Sequence, residues 1–112
     1  MTFETFKNEL LTPVIMEDYD SRIGTEDEYL QIYRVFKFLL DEWPYITEIQ
    51  KNCYLMATDM NLTQNKIAEY LRIKQSTVSE HIKKARENYI HLVRVVYYST
   101  LWGIDYGVRK KE

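Results

Sequence analysis

Apolar residues recur every three or four positions along most of the chain, which is the period of an amphipathic α-helix. The first such stretch predicts a helix over residues 3–11, and Pro13 is expected to end it because proline cannot continue the helical hydrogen bonds. Residues 17–28 are acidic and predict a surface loop. No segment alternates apolar and polar residues for long enough to predict a strand. The expected fold class is all-α, with about five helices.

Two more helices are predicted before the middle of the chain. Thr25 and Glu28 have the spacing of a capping box, in which two side chains satisfy free backbone N–H groups at a helix start. The helix that follows is predicted over about residues 26–41 and is expected to stop before Pro44. A third helix is predicted over about residues 45–58.

The helical pattern resumes after a turn and continues almost to the end. Residues 63–74 predict a short helix followed by a three-residue connection, and Thr63 is a suitable N-cap. From Gln75 onward the apolar face repeats without a glycine or proline until Gly103, which predicts one long helix. Residues 103–112 are expected to form a frayed or irregular tail.

Length and composition are those of an ordinary soluble domain. The 112 residues are 46% hydrophobic and 29% charged, and they predict one domain over residues 1–112. A single cysteine excludes an internal disulfide and a cysteine-rich zinc site. No signal peptide or membrane-spanning run is visible, so a cytoplasmic protein is expected. No catalytic triad, phosphate-binding glycine loop or metal-ligand spacing occurs, so we expect neither an enzyme nor a cofactor.

Charge is divided unevenly along the chain. Residues 1–62 hold 5 Lys or Arg against 12 Asp or Glu, whereas residues 63–94 hold 7 against 3. A local basic block is what a phosphate-binding face requires, even in a chain whose net charge is −2. A solvated helix face would give the same pattern, so charge alone leaves both interpretations open.

Residues 62–85, LTQNKIAEYLRIKQSTVSEHIKKA, carry the strongest motif in the chain. They resemble a helix-turn-helix DNA-binding unit, and they look most like the version in sigma-factor C-terminal (region-four-like) domains and related bacterial and phage transcriptional regulators. The sequence departs from that pattern at Arg72, where glycine is common, and at Lys74, where serine often caps the second helix. The positions that match are Thr63, Gln64, Ile67, Ala68, Leu71, Ile73, Ser76, Thr77 and Val78.

The resemblance implies that the second helix of the motif enters the major groove of duplex DNA. Val78, Ile82 and Ala85 share one face of that helix, so the opposite half is free to approach DNA. Glu80 could accept from a cytosine amino group or only pair with a neighbouring lysine. The expected base- or groove-facing residues are Gln75, Ser76, Thr77, Ser79, Glu80 and Lys83. The expected phosphate contacts are Thr63, Gln64, Lys66, Arg72, Lys74, Lys84 and Arg86.

Residues 88–102 form an apolar extension of the long helix. A helix that is apolar nearly all round must be buried nearly all round. A homodimer interface is therefore expected in this segment. The alternative is one compact domain in which the helices at 3–11 and 26–41 cover it. The residues expected in the dimer interface are Tyr89, Ile90, Val93, Val95, Tyr97, Tyr98 and Leu101.

These features predict a small all-α transcriptional regulator that binds double-stranded DNA as a homodimer. Its acidic N-terminal helices would face away from DNA, and either bind a basic partner such as a surface of RNA polymerase or form a solvated shell. Two other functions fit the same motif: a phage DNA-packaging or recombination accessory subunit, and a protein-interaction module such as an anti-activator or polymerase-binding factor. The expected parts of the domain are 1–44 (acidic helices), 45–87 (helix-turn-helix unit), 88–102 (apolar extension) and 103–112 (tail).

Overall fold

The computed structural model describes the backbone of residues 1–109 and the side chains of residues 1–101. Within that range the chain is all-α and has no strand, which confirms the expected fold class. The helices in chain order are α1 over residues 3–16, α2 (Glu26–Leu40), α3 (Glu48–Thr58), α4 (Gln64–Leu71) and α5 (Gln75–Arg109).

The first helix continues past Pro13, so the prediction that this residue ends it is wrong. In its middle the helix widens to a π-helical turn, where the Thr12 N–H donates to the carbonyl of Lys7, five residues back. Pro13 therefore lies in the first turn of a new α-helical segment, where the N–H group that proline lacks is not needed. The α-helical, π-helical and α-helical parts of α1 are Phe3–Thr5, Phe6–Leu11 and Thr12–Met16.

Capping boxes start two of the helices. The Thr25 hydroxyl accepts from the Glu28 N–H at 3.3 Å, and the Glu28 carboxylate accepts in return, as the sequence predicts. Hydrogen bonds from the Thr25 hydroxyl and backbone lower the pKa of Glu28. Thr47 caps α3 in the same way, which is why α3 begins at Glu48 and not at residue 45.

The last helix is 35 residues long and reaches Arg109, so it extends for about 52 Å at the usual rise per residue. The expectation that the chain becomes irregular at Gly103 is wrong for residues 103–109. A helix that has already formed gains one hydrogen bond for each residue added, so Gly103 and Gly107 in its last turns do not stop it. Residues 110–112 of the predicted tail lie outside the described residues.

Buried side chains form two clusters on successive parts of α5. The smaller cluster joins α3, α4 and the first turns of α5, and the larger one joins α1, α2, α3 and the later turns of α5. Ile82 packs against both. The helix-turn-helix unit and the N-terminal helices are therefore built on one shared helix. The larger cluster includes Phe6, Leu10, Val14, Ile32, Phe36, Tyr54, Tyr89, Val93 and Tyr97.

The N-terminal helices cover most of the surface that the sequence assigns to a homodimer. Four residues of that set are buried within one chain, and Leu101 is half-buried against the same cluster. The four buried residues are therefore not available to a second copy, which corrects the predicted interface at these positions and agrees with the alternative of one compact domain. Val95 and Tyr98 alone of the seven stay exposed, at 45% and 44%. The four buried residues are Tyr89, Ile90, Val93 and Tyr97.

Candidate nucleic-acid interface

The smaller cluster holds α4 against α5. Ile67 and Val78 are fully buried in it, and Ala68 leaves room for the two helices to approach closely. Cys53 of α3 is also fully buried in this cluster, and burial raises the pKa of its thiol. The thiol is therefore a neutral packing group, as expected for a buried cysteine in an apolar surrounding.

A tight turn at Arg72 sets the relation between α4 and α5. Arg72 has φ 57° and ψ 45°, the left-handed conformation in which glycine is usual. The Ile73 N–H donates to the Ala68 carbonyl at 3.0 Å, and the Arg72 N–H donates to the Glu69 carbonyl at 3.4 Å. These bonds satisfy carbonyls at the end of α4 in the manner of a Schellman motif. Arg72 thus makes this turn without a glycine, and its side chain is exposed.

The start of α5 leaves backbone donors free. The Val78 N–H donates to the Lys74 carbonyl at 3.1 Å, so Lys74 occupies the N-cap position. A lysine side chain has no acceptor atom for a cap. No side chain in the described part of the chain accepts from the N–H groups of residues 75–77. These donors and the positive end of the helix dipole suit a phosphate oxygen.

The outer face of α5 carries the residues predicted to face DNA bases. Five of the six are exposed, and Thr77 is half-buried at the side of the helix. Ser76, Glu80 and Lys83 lie on the half opposite Val78 at helical spacing, as predicted. The face combines the short hydroxyl side chains of Ser76 and Ser79 with one acid and one base. The exposed five are Gln75, Ser76, Ser79, Glu80 and Lys83.

The residues predicted to contact phosphate lie on α4, on the turn and on α5. Six of the seven are exposed, and Gln64 is half-buried. The Thr63 hydroxyl accepts from the Lys66 N–H at 3.3 Å and so caps α4, but its own proton remains free to donate. Among the described residues, none of the five cations in this set, nor Lys83, forms an ion pair. The exposed six are Thr63, Lys66, Arg72, Lys74, Lys84 and Arg86.

Acidic residues of the N-terminal half pair with cations elsewhere. Glu26 contacts Lys7 at 3.1 Å, and Glu17 contacts Arg94 at 2.7 Å on the later part of α5. These two carboxylates therefore do not pair with the basic residues of the helix-turn-helix unit.

An apolar groove on the same unit was not predicted from the sequence. It has a volume of about 490 Å³ and lies between α3, α4 and the connection that joins them. Met60 and Tyr70 on its wall are exposed at 62% and 76%. The available signal in the sequence was helical spacing, which places Tyr70 one turn after Lys66 and therefore on the same exposed face of α4. The wall also includes Leu55, Met56, Leu62 and Leu71.

No three His, Cys, Asp or Glu side chains in the described part of the chain are placed to hold a metal ion. Of the helices described, none has both the length and the hydropathy that crossing a membrane requires. Comparison of the chain with protein-family models, with characterised proteins and with solved structures finds no significant match.

Proposed function

We propose that this protein is a sequence-specific transcriptional regulator that binds double-stranded DNA with the first turns of α5 in the major groove. The observation that carries the proposal is the packing of α4 on α5 across the Arg72 turn, which leaves a polar helix face exposed. Ser76 and Ser79 are short enough to let the helix approach base edges closely. Lys83 is long enough to reach a guanine or a phosphate.

Electrostatics support this orientation. The cations around the exposed face have no ion-pair partner in the described range, so their charge is available to phosphates. The acidic helices α1 and α2 pack on the later turns of α5, away from the first turns. With the first turns in the major groove, α1 and α2 would face away from DNA.

The setting that we propose is a promoter. Residues 62–85 resemble the helix-turn-helix of sigma-factor C-terminal domains, which suggests a bacterial or phage regulator that acts next to RNA polymerase. The helix-turn-helix alone would read only a few base pairs, so neighbouring contacts to a partner or a second copy would add to its specificity.

Selection of bound sites from randomised duplex DNA tests the proposal. We expect the wild-type protein to enrich one sequence and to bind it in mobility-shift assays at low salt. Ser79→Ala and Lys83→Ala should change the preferred sequence. Lys37→Ala, which removes an exposed lysine of α2, should change neither affinity nor preference. Absence of binding to any duplex DNA at low salt would contradict the proposal.

A homodimer remains part of the proposal, with a narrower interface than the sequence predicts. Val95 and Tyr98 are exposed on α5, and His91 precedes them on the same helix face. Two-fold pairing through this stripe would place two recognition helices on one DNA site. Sedimentation of the wild type and of the double variant Val95→Glu, Tyr98→Glu measures the oligomeric state. A wild-type monomer would contradict dimerisation, and a ring of eight or more copies would favour the DNA-packaging function.

The apolar groove between α3 and α4 favours a second candidate, in which the unit binds a protein. A groove of this size with exposed Met60 and Tyr70 fits an apolar side chain of a partner. RNA polymerase is the partner that the sigma-factor resemblance suggests. Pull-down of purified RNA polymerase by wild type, and its loss in Met60→Glu, would support this function independently of DNA binding.

A further inference from the structure

The outer face of α2 carries a row of side chains that the rest of the described chain leaves exposed. Arg34, Phe38 and Glu42 follow one another at intervals of four residues, and all three are exposed. Phe38 is 80% exposed, and Val35 beside it is 39% exposed. Side chains spaced by four residues form the ridges along which helices pack against one another. Arg34, Val35, Phe38 and Glu42 together form the α2 ridge.

Glu42 belongs to the ridge although α2 ends at Leu40. Asp41 keeps helical backbone angles, with φ −66° and ψ −26°, and the Glu42 N–H donates to the Leu39 carbonyl at 3.1 Å. The chain therefore makes one further tight turn of the kind that often ends an α-helix. This turn places Glu42 about one helical turn beyond Phe38, just as Arg34 lies about one turn before it.

The two charged side chains of the ridge have no partner within the described part of the chain. Arg34 and Glu42 are both exposed, and neither forms an ion pair there. They are separated by roughly 12 Å along the helix axis, which is too far for them to pair with each other. The ridge therefore has a positive end, an apolar middle and a negative end.

This order of charges makes the ridge complementary to itself. When a second copy lies antiparallel across the ridge, with a two-fold axis at Phe38, Arg34 of each copy is opposite Glu42 of the other. The two Phe38 rings then meet near the axis and remove apolar surface from water. Such an isologous contact uses the same patch on both copies. A partner with charge of only one sign would attract one end of the ridge and repel the other.

We propose that the α2 ridge binds the α2 ridge of a second copy of this chain. Each copy contributes far fewer residues than the roughly 20–30 of a standard stable interface, so this dimer is weak and exchanges readily. The contact is separate from the one proposed through Val95 and Tyr98 on α5. It also includes none of the proposed DNA contacts, so it does not rest on the proposed function.

Sedimentation of the full chain at concentrations up to about 1 mM, which covers weak association, tests the contact. The double variant Val95→Glu, Tyr98→Glu serves as the background protein, so that pairing through α5 does not contribute. We expect this background protein to form dimers at the higher concentrations. Arg34→Glu and Glu42→Arg, each added to it, should weaken the dimer at least tenfold, because like charges then face each other at both ends. A background protein that stays monomeric throughout would overturn the proposal, as for a ridge that is only solvated or that binds a different protein.

Recovery of the dimer tests the two-fold arrangement itself. An equimolar mixture of the Arg34→Glu and Glu42→Arg proteins should dimerise again, because opposite charges face each other at both ends of the mixed dimer. One chain that carries both changes should dimerise for the same reason. Lys37→Glu is the control, because Lys37 lies over the Tyr33 ring, 5.4 Å from its centroid, and is not part of the ridge. Failure of either combination to recover the dimer, or equal weakening by Lys37→Glu, would overturn the proposal.

Discussion

The Arg94 guanidinium donates two hydrogen bonds to the Glu17 carboxylate, at 2.7 and 3.1 Å. The pair connects the end of α1 to α5 across 77 positions of sequence. One turn further along α5, the Tyr97 hydroxyl donates to the Asp18 carboxylate at 2.9 Å. Two neighbouring acidic residues therefore attach the loop after α1 to the helix whose other end is proposed to bind DNA.

Removal of the Glu17 carboxylate should change the dependence of stability on pH. The hydrogen bond from Arg94 is the largest influence on this carboxyl and lowers its pKa from the ordinary value of 4.5. A carboxyl whose pKa is lowered by folding adds stability above its unfolded pKa, and that stability is lost as the pH falls through the folded pKa. Glu17→Gln should therefore melt below wild type at neutral pH and match it once the wild-type Glu17 carboxyl is protonated in both the folded and the unfolded state.

Thermal melts across the acidic range measure this effect, and Glu69→Gln is the control. Glu69 is an exposed carboxylate on α4 that forms no ion pair with the described residues. A gap between Glu17→Gln and wild type that stays constant down to acidic pH would show that the Arg94 contact is not the cause.

Arg72→Gly should stabilise the protein while it weakens DNA binding. Arg72 has φ 57°, a conformation that costs an L-residue about 1–2 kcal/mol and a glycine much less. Part of that gain is offset because glycine loses more backbone entropy on folding, so we expect about 0.5–1 kcal/mol from chemical denaturation. Arg72→Ala removes the same cation and keeps the strain, so it should lose equal DNA affinity without the gain in stability. Equal stability of the two variants would contradict the role of the turn.

Val78→Asp should unfold the helix-turn-helix unit. Val78 is fully buried in the smaller cluster, and an unpaired carboxylate there costs several kcal/mol, which is comparable to the whole stability of a small domain. Val35→Asp is the matched control, because it makes the same change at a position of α2 that is 39% exposed. Circular dichroism should show a lost or lowered transition for Val78→Asp and a nearly unchanged one for Val35→Asp. Similar curves for both would mean that Val78 does not face the core.

Two tyrosine variants should change stability in opposite directions. The buried hydroxyl of Tyr54 has no partner in the described chain, so Tyr54→Phe should raise the free energy of unfolding by about 1 kcal/mol. The hydroxyl of Tyr97 donates to Asp18 and lies 2.7 Å from the Ser21 hydroxyl, so Tyr97→Phe should lower it by about 1 kcal/mol. Denaturant titrations compare them. A loss in Tyr54→Phe as large as that in Tyr97→Phe would indicate a buried water on the Tyr54 hydroxyl.

Lys84→Ala should weaken binding to specific and random DNA alike. The slope of the logarithm of the binding constant against the logarithm of salt concentration should fall by about one for a lost phosphate contact. Ser79→Ala should change sequence preference and leave that slope unaltered. Fluorescence anisotropy at several salt concentrations measures both. The same slope for Lys84→Ala and wild type would remove Lys84 from the phosphate-binding set.

Local features of this fold were predictable from the sequence. The capping box of Thr25 and Glu28 and the bounds of α2 depend on residues close together in the chain, and both predictions are confirmed. The packing of Ile67 on Val78 was predictable for a similar reason, because helical spacing and a short connection leave few ways to bury both. The exposed face of α5 follows directly from that packing.

Features that depend on distant residues were not predictable. Helical spacing puts Tyr97 beside the core face of α5, but it does not show that the Tyr97 hydroxyl meets Asp18 and Ser21 of the loop after α1. The path through Pro13 depends on a π-helical turn whose residues Phe6, Leu10 and Leu11 are all buried in the larger cluster. A small open pocket beside Trp43 is lined by the α2–α3 connection, the first turns of α3 and Tyr89 of α5, and no local pattern in the sequence indicates it.

The continuity of α5 makes this helix a lever. The end of α5 that is proposed to contact DNA and the part that packs on the N-terminal helices belong to one helix, with no break between Ser76 and Tyr97. These residues are about 32 Å apart along the axis at the usual rise per residue. A tilt of about 5° at Tyr97 would carry Ser76 through nearly 3 Å, roughly the length of a hydrogen bond. A small change in the contacts between the N-terminal helices and α5 would therefore cause a larger displacement of the end that is proposed to bind DNA.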